Sequence, residues 1–287
     1  MANISEPGIL YLCATPIGNL GDITNRVIET LSNVDLIAAE DTRNSLKLLN
    51  HFDIKVPLTS YHEYNKYDKA NELIVKMQTG VNVALITDAG TPAISDPGEV
   101  LVRMCMEAGI RVTSLPGPCA AITALSMSGI NSRRFCFEGF LPPNKNDRKE
   151  VLDDLAGEYR TIIVYEAPHH LLDTLTVLEK TLGNRNIAVC RELTKKFEEV
   201  RRMTIQEAVS YYENNDPKGE FVLVIEGLDK EREKLEKQSE WTDMDINSHM
   251  QIYLDKGMDK KDAMKQVAKD RGLSKRDIYA MLLEEDK

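Results

Sequence analysis

The fold class of this chain is decided by the stretch Leu85-Ile86-Thr87-Asp88-Ala89-Gly90-Thr91-Pro92-Ala93-Ile94-Ser95-Asp96-Pro97-Gly98. It begins inside residues 81–87, whose β-branched and aliphatic side chains predict a strand. Two glycines and two prolines prevent this strand from continuing, and residues 99–106 are typical of a helix. An open α/β sheet binds its ligand in such a loop, at its carboxyl edge, so we expect Asp88 and Gly90 at a binding site. The alternative is a surface turn that happens to contain an aspartate.

The same order of strand, tight loop and helix occurs on both sides of this stretch. Residues 9–15 form a predicted strand that ends in a loop with proline and glycine, and residues 34–39 form another that ends in Glu40-Asp41-Thr42-Arg43. A third predicted strand, residues 111–115, precedes a loop with two prolines and a helix of small residues, 120–128. This alternation predicts a mostly parallel sheet. The glycine spacing of the first loop does not match the dinucleotide fingerprint, so it lends little support to an ordinary nucleotide fold.

The organisation changes after residue 118, where shorter connections predict a second α/β domain. Residues 229–240 are almost entirely charged and are typical of a linker or a helical extension. Three helical segments follow, with a glycine turn between the last two, which is the pattern of a helix-turn-helix. These segments are rich in lysine and form either a plain three-helix cap or a surface that contacts phosphates. The predicted domains are therefore 1–117, 118–228 and 241–287, joined by the linker at 229–240.

Composition narrows the function classes. The chain has 287 residues, 42% of them apolar, and a net charge of −10, which argues against a surface that binds polyanions everywhere but permits a local basic patch. No apolar run approaches the ~18 residues that cross a bilayer. No basic segment precedes an apolar block at the N-terminus, so we expect a cytoplasmic protein without a secretory signal. Five scattered cysteines without a Cys-x-x-Cys pair, and histidines outside metal-binding spacings, indicate neither disulfides nor a metal site.

Common catalytic motifs are missing from the sequence, which contains no Gly-x-Ser-x-Gly, no His-Glu-x-x-His and no P-loop. What remains is a pair of α/β units whose tight loops carry few charges. A cleft between such units suits a neutral or cationic small cofactor that is held largely by backbone groups.

Six motifs taken together resemble the tetrapyrrole methylase family, most closely its members that methylate ribosomal RNA. They follow the family's order and span about residues 8–227, and the helical tail also looks like that of these members. The resemblance implies two α/β domains that hold S-adenosylmethionine in the cleft between them, a homodimer, and methylation of a cytidine ribose 2′-oxygen in the 16S rRNA of the small ribosomal subunit. The motifs are Ala14-Thr15-Pro16-Ile17-Gly18-Asn19-Leu20-Gly21-Asp22, Ala39-Glu40-Asp41-Thr42-Arg43, Ser60-Tyr61-His62-Glu63, the central loop from Asp88 to Gly98, Leu115-Pro116-Gly117-Pro118 and Glu166-Ala167-Pro168-His169.

The resemblance also implies cofactor contacts, residue by residue. They fall after the first strand, in the central loop, in the helix of small residues and after a strand of the second domain. Many family members have Gly-Asp-Pro where this chain has Gly90-Thr91-Pro92, so Asp88 lies earlier in the loop than the family's aspartate. The implied cofactor-binding residues are Ile17, Asp88, Ala89, Gly90, Thr91, Pro92, Ala120, Ala121 and Ala167.

Methyl transfer to a ribose hydroxyl benefits from a base or a nearby cation, because the hydroxyl is a weak nucleophile. Polar residues in loops near strand ends are the candidates, and we favour Asp41, Arg43, His62 and Glu63 for catalysis and substrate handling. For Arg43, an ion pair that merely fixes its loop is an equally good interpretation. Glu192 and Lys195 are further polar residues that could face the cleft.

Two rival functions stay open at this point. A tetrapyrrole carbon methyltransferase or a diphthine-type methyltransferase would share the fold, but a small planar substrate needs no basic helical tail. A DNA-binding regulator that senses a small ligand would use the tail. However, a single helix-turn-helix reads DNA poorly, and the large two-domain body would have no role in such a protein.

Overall fold

The computed structural model describes residues 6–229, 241 and 244–285. The chain divides into two compact units, Met1–Glu226 and Gly227–Lys287. The first unit contains two β-sheets with their helices, and the second contains three helices. Residues 230–240, which form most of the predicted linker, lie outside the described residues.

The first sheet has five parallel strands in the order β3-β2-β4-β1-β5, which confirms the predicted parallel sheet. All four residues of its central strand are buried, as expected when helices cover both faces. Parallel pairing puts the carboxyl ends of all five strands at one edge, so the loops that follow them are neighbours. The strands are β1 (Ile9–Cys13), β2 (Leu36–Ala39), β3 (Leu58–Ser60), β4 (Val83–Ile86) and β5 (Arg111–Leu115), and the helices are α1 (Asn25–Asn33), α2 (Thr42–His51), α3 (Lys66–Gln78) and α4 (Gly98–Glu107).

The second sheet is mixed, with the order β6-β7-β10-β8-β9 and only the β6–β7 pair parallel. One helix packs on one face of the sheet with residues such as Ala124 and Leu125, and three helices cover the other face. The strands are β6 (Phe135–Phe140), β7 (Thr161–Glu166), β8 (Asn186–Arg191), β9 (Glu199–Thr204) and β10 (Phe221–Ile225), and the helices are α5 (Ala120–Ser128), α6 (Lys145–Ala156), α7 (Leu171–Leu182) and α8 (Ile205–Glu213).

Strand β9 is longer than its sequence suggests. Charged residues interrupt the apolar pattern, so the sequence indicates only residues 203–205 as extended. The structure pairs the whole of Glu199–Thr204 with β8 at the edge of the sheet. There the Arg201 guanidinium pairs with the Glu199 carboxylate at 2.5 Å, and Arg202 Nε donates to the carbonyl of Ser128 at the end of α5 (2.9 Å). These partners let a strand carry arginines that its sequence pattern does not explain.

The second unit consists of α9 (Ile246–Asp255), α10 (Lys260–Arg271) and α11 (Lys275–Glu285), which confirms the three helices predicted over 245–254, 259–270 and 275–283. The Asp245 and Asp259 side chains cap the first two helices, and a left-handed glycine, Gly272, ends the second. Apolar residues from all three helices, including Val267 and Ile278, pack into one small core. Among the described residues of the chain, no helix combines the length and apolar character needed to cross a bilayer.

Candidate active site

A cavity of about 480 Å³ lies between the two sheets of the first unit. Loops at the carboxyl ends of β1, β2 and β4 form one wall, and residues of β6, β7, β10 and the start of α5 form the other. The sequence predicts a ligand at this edge, and the size falls within the range of small-molecule sites. The lining residues are Ile17, Glu40, Thr87, Asp88, Ala89, Gly90, Thr91, Ile94, Ser95, Asp96, Cys119, Ala120, Phe140, Tyr165, Glu166, Ala167, Pro168, Leu193, Glu220, Phe221 and Val222.

The loop after β4 is fixed to the end of β1 at Gly90. Thr15 and Gly90 exchange two backbone hydrogen bonds, of 2.9 and 3.1 Å. Gly90 has a φ of +86°, and a Cβ atom built there would lie 3.3 Å from Cγ2 of Ile17. The Thr91 hydroxyl donates to the carbonyl of Pro118 (3.0 Å), which ties the same loop to the segment after β5. The position therefore favours glycine for both conformation and space, as its sequence context predicts.

The next part of this loop is shaped by a partly buried carboxylate. Asp96 Oδ1 accepts hydrogen bonds from the backbone N–H groups of Ala93 (3.0 Å) and Gly98 (2.7 Å). Burial raises the pKa of Asp96, and these backbone donors oppose that rise. Ala93 and Ser95 both have positive φ angles, +67° and +59°. Such conformations are costly outside glycine, so Asp96 and its donors hold a strained segment against the cavity.

The opposite wall is built around Tyr165 and Glu166 at the end of β7. The Tyr165 hydroxyl accepts from the N–H of Ala121 (3.1 Å), and burial raises its pKa to about 12, so the phenol stays neutral at physiological pH. The two oxygens of the buried Glu166 carboxylate accept from the Ala167 N–H (2.7 Å) and the Thr174 hydroxyl (2.5 Å). These bonds order the turn that brings Ala167 to the cavity.

The lining of the cavity is strongly acidic. Five residues with carboxylate side chains line it, and its described lining contains no lysine, arginine or histidine; of the five, Glu220 is paired with Lys195 and both oxygens of Glu166 are engaged. Burial raises the pKa of Asp88, while a hydrogen bond from the Asp41 N–H (3.2 Å) to its Oδ1 works in the opposite direction. Within the described residues, no group of three or more His, Cys, Asp or Glu side chains is arranged to hold a metal ion. The acidic residues of the lining favour a cationic ligand. The five carboxylates belong to Glu40, Asp88, Asp96, Glu166 and Glu220.

Most of the residues implied as cofactor contacts lie together here. Ile17, the Asp88–Thr91 segment, Ala120 and Ala167 all line the cavity. Pro92 and Ala121 are outside the lining, although Ala121 supplies the N–H that binds Tyr165. The sequence interpretation missed several lining residues, including Glu40, Phe140 and Glu220. Glu40 directly precedes Asp41 at the end of β2, so its position at a strand end could have indicated that it lines the cavity.

The four catalytic candidates lie beside the cavity rather than in its lining. Asp41 caps α2 by accepting from the Arg43 N–H (2.8 Å), and it pairs with the Arg43 guanidinium at 3.3 Å. This hydrogen-bonded partner lowers the pKa of Asp41. The Arg43 side chain is otherwise 88% exposed. The ion pair that would fix the loop of Arg43 is thus present, and the Arg43 side chain is also accessible to a substrate.

His62 and Glu63 follow β3 at the same edge of the sheet. The backbone N–H of His62 donates to Asn65 Oδ1 (2.8 Å), and the Glu63 carboxylate pairs with Lys66. Nδ1 of His62 is buried and has no hydrogen-bond partner in the described part of the chain. An unsatisfied buried nitrogen costs about 1–3 kcal/mol, so a group that bound it would recover that energy.

Lys195 and Glu192 tether the two halves of the site. The Lys195 ammonium binds the carboxylates of Glu192 (2.9 Å) and Glu220 (2.7 Å) on the side of the second sheet. Its aliphatic carbons lie over Gly18 of the loop after β1, where an added Cβ would be 2.3 Å from Lys195 Cγ. These two polar residues therefore brace the wall of the cavity.

Comparison with known proteins identifies the family of this architecture. A family model described as Tetrapyrrole (Corrin/Porphyrin) Methylases matches residues 10–209. The chain belongs to this family. It is 49% identical over 278 residues to ribosomal RNA small subunit methyltransferase I of Synechocystis sp., covering 96% of this chain and 98% of that protein. It is 46% identical over 275 residues to the Bacillus subtilis protein of the same name, covering 96% and 94%.

Solved structures of this tetrapyrrole methylase fold are more distant in sequence. Uroporphyrin-III-C-methyltransferase from Thermus thermophilus is 18% identical with a TM-score of 0.55, covering 76% of this chain and 94% of that one. Diphthine synthase is 10% identical with a TM-score of 0.60, covering 76% and 90%. At these identities the likeness concerns the fold alone.

Proposed function

We propose that this tetrapyrrole methylase is an S-adenosylmethionine-dependent methyltransferase that modifies the 2′-oxygen of cytidine 1402 in 16S rRNA. The observation that carries the proposal is the acidic cavity without cationic side chains, at the carboxyl edge of a parallel sheet. Support for the acceptor comes from relatives named ribosomal RNA small subunit methyltransferase I, two of which align with 96% of the chain.

The residues of the cavity fit S-adenosylmethionine in charge, size and shape. The donor carries a sulfonium, an ammonium and a carboxylate group, so carboxylates such as those of Glu40 and Asp88 complement its two cationic groups, and its adenosine part suits the apolar wall of Ile17, Ala120 and Leu193. One oxygen of Asp88 accepts from Asp41, and the described residues leave the other oxygen to accept from a hydroxyl or ammonium group. When bound, the donor supplies a methyl group that is already activated. The chain's main task is therefore to position the acceptor.

The acceptor ribose approaches from the edge where the four catalytic candidates lie. A phosphate cannot enter far among carboxylates, so the cavity admits the sugar and excludes the RNA backbone. Since the Arg43 guanidinium lowers the pKa of Asp41, that carboxylate is a weak base. We propose that His62 and Glu63 contribute to substrate handling at this edge and that the exposed Arg43 guanidinium lies near the developing negative charge.

The three-helix unit is proposed to hold the RNA backbone. Three of its aspartates are engaged in helix caps and internal bonds: Asp245 and Asp259 cap helices, and Asp270 accepts from the Tyr253 hydroxyl. By contrast, lysines at positions 261, 265 and 269 are exposed along one face of α10, and within the described residues none has a carboxylate partner. Spacing of four residues places them on the same side of the helix, where they complement successive phosphates.

The activity is tested by methyl transfer to small ribosomal subunits purified from cells that lack this protein. We expect label from S-adenosylmethionine to enter 16S rRNA at one cytidine, and mass mapping to place the methyl on its ribose. Subunits whose target carries 2′-deoxycytidine serve as the control and should accept no label. Transfer to a porphyrinoid precursor instead of the RNA would support a tetrapyrrole methyltransferase. Specific duplex DNA binding without turnover would support the regulator.

Replacing Lys261, Lys265 and Lys269 by alanine tests the RNA surface. The variant should bind the subunit more weakly, and the slope of log affinity against log salt should decrease by about 2 to 3. A matched triple variant of exposed lysines in the first unit, such as Lys47, Lys55 and Lys180, is the control. Equal effects of the two variants would contradict a specific surface on α10.

We further propose that the protein is a cytoplasmic homodimer, because the family resemblance implies it. Light scattering of the purified chain should give twice the mass of one chain. A single-chain mass at micromolar concentration would contradict the dimer, and it would leave the methyl-transfer assay unaffected as a test of the activity.

A further inference from the structure

Two apolar side chains stand at the rim of the cavity. Phe140, the last residue of β6, is 61% exposed, and Ile94, in the loop after β4, is 49% exposed. Both also line the cavity, so they lie where it opens to solvent. One comes from each half of the site. Large apolar groups that remain exposed at the opening of a ligand cavity indicate a surface that a binding partner covers.

The backbone around these two side chains has unusual conformations, and on the Ile94 side they carry an energetic cost. Ile94 lies between Ala93 and Ser95, which both have positive φ angles. Phe140 follows Gly139, which has a φ of +63° at an irregularity in the pairing of β6 with β7. A Cβ atom at Gly139 would lie only 2.6 Å from Ser95 Oγ, so the two rim segments touch at this point. Strain of this kind persists where the surrounding structure fixes it, and it accumulates at functional sites.

The chemistry of the rim differs from that of the interior. The interior presents carboxylates and repels phosphate, whereas the rim presents an aromatic ring and an aliphatic side chain. The Phe140 ring makes an edge-to-face contact with Tyr165, with 5.6 Å between centroids, and this contact supports the ring from the cavity side. The exposed part of the ring is free to stack on a flat, uncharged group. A nucleobase has this chemistry, and stacking on an aromatic ring is a common way to hold an unpaired base.

We propose that Ile94 and Phe140 clamp the base of the acceptor nucleotide, with the Phe140 ring stacked on it, while the ribose reaches the cavity. This proposal rests on the proposed function, because the clamped base belongs to the nucleotide that is methylated. It assigns Phe140 a positioning role: the ring fixes the base, and the base fixes the 2′-oxygen relative to the donor. The acceptor nucleotide is therefore unpaired when it binds.

The experiment compares Phe140→Ala, Phe140→Leu and Phe140→Trp in the methyl-transfer assay with small ribosomal subunits. We expect the alanine and leucine variants to lower kcat/KM for the subunit about tenfold or more, and the tryptophan variant to stay within about threefold of the wild type. The dissociation constant for S-adenosylmethionine, measured by calorimetry, should be unchanged in all three. Phe197→Ala is the matched control, because Phe197 is 65% exposed and lies outside the cavity lining.

The outcomes separate this proposal from the proposed function. A wild-type protein that transfers no methyl group to subunits contradicts both. An active wild type with a fully active Phe140→Leu variant contradicts the stacked base alone. Loss of donor affinity in Phe140→Ala equal to the loss of kcat/KM also overturns the clamp, because it assigns the ring to the donor. Ile94→Asp is the second variant: it places a charge on the opposite side of the base and should lower kcat/KM while melting like the wild type.

Discussion

Replacing Gly90 by alanine separates the conformational role of this residue from its role in the site. Gly90 has a φ of +86°, so an alanine there adopts a left-handed conformation that costs about 1–2 kcal/mol. The new methyl group would also lie 3.3 Å from Cγ2 of Ile17 and 3.6 Å from the carbonyl oxygen of Pro118. Both neighbours belong to segments that bound the cavity, so relief of the contact displaces part of the cavity wall.

Gly109 provides the matched control. Its φ is +69°, but a Cβ atom there would have no neighbour within 4 Å. Gly109→Ala therefore has a similar conformational cost without the crowding. We expect both variants to lose about 1–2 kcal/mol of unfolding free energy, which lowers Tm by roughly 2–8 °C for a unit of this size. Only Gly90→Ala should also bind S-adenosylmethionine more weakly, by about tenfold, because a shift of the loop affects contacts on both sides of the donor.

The assay measures Tm by calorimetry and donor affinity by titration on the same samples. The decisive quantity is the ratio of donor affinities of the two variants at equal stability. If Gly90→Ala and Gly109→Ala lose the same stability and both bind the donor like the wild type, the crowding at Ile17 has no consequence. In that case, the close approach of the Gly90 loop is not what holds the donor.

Three further perturbations follow from the charges and burial described above. Asp88→Asn should weaken donor binding about tenfold in calorimetry. Its Tm should stay equal or rise, because burial raises the pKa of this carboxyl and folding therefore favours the neutral form. A lower Tm with intact donor binding would contradict this prediction. Arg43→Ala and His62→Ala should each lower kcat at unchanged donor affinity. The stability of Arg43→Ala should change little, because surface ion pairs such as that of Arg43 contribute only about 0–1 kcal/mol. Full activity of both variants at normal stability would remove these residues from the mechanism. Burial and the nearby Arg271 lower the pKa of His249, so its contribution to stability is present above its unfolded pKa of about 6.5 and is lost as pH falls. Trp241, the only tryptophan of the chain, stacks on that ring at 4.1 Å, so its fluorescence can follow unfolding in urea; the urea midpoint should fall between pH 7.5 and 5, and a smaller fall in wild type than in a His249→Gln variant would refute it.

The first sheet and its binding edge could be predicted from the sequence because each strand is a short apolar run with its own stop signal. Every residue of Val83–Ile86 is buried, so this strand is continuously apolar in sequence. It can therefore be predicted without deciding which of its faces points inward. Gly90 and the prolines that follow then mark where the chain leaves the sheet. Parallel pairing places the loops at one edge without further information, and this is why most of the residues implied as cofactor contacts lie together.

The catalytic neighbourhood was harder to predict, because it depends on the direction of individual side chains after each strand ends. Glu40 and Asp41 are adjacent in sequence, yet Glu40 lines the cavity and accepts from the Thr87 hydroxyl (2.8 Å), while Asp41 turns away to cap α2. Side-chain alternation predicts direction only inside a strand, and both residues lie beyond β2. Glu166 and Glu220 come from distant segments, so only the folded chain brings their carboxylates together.

The charge of the molecule is consistent with these separate tasks. A net charge of −10 is unexpected for the proposed action on RNA, but acidic residues in the cavity complement the cationic groups of the proposed sulfonium donor. The same carboxylates prevent RNA phosphates from binding in the cavity, so affinity for the RNA has to come from other surfaces. We propose that uncharged contacts at the rim, through Ile94 and Phe140, and lysines on α10 supply this affinity. Salt should therefore weaken RNA binding strongly and donor binding little, and similar salt dependence of the two would contradict this division of charge.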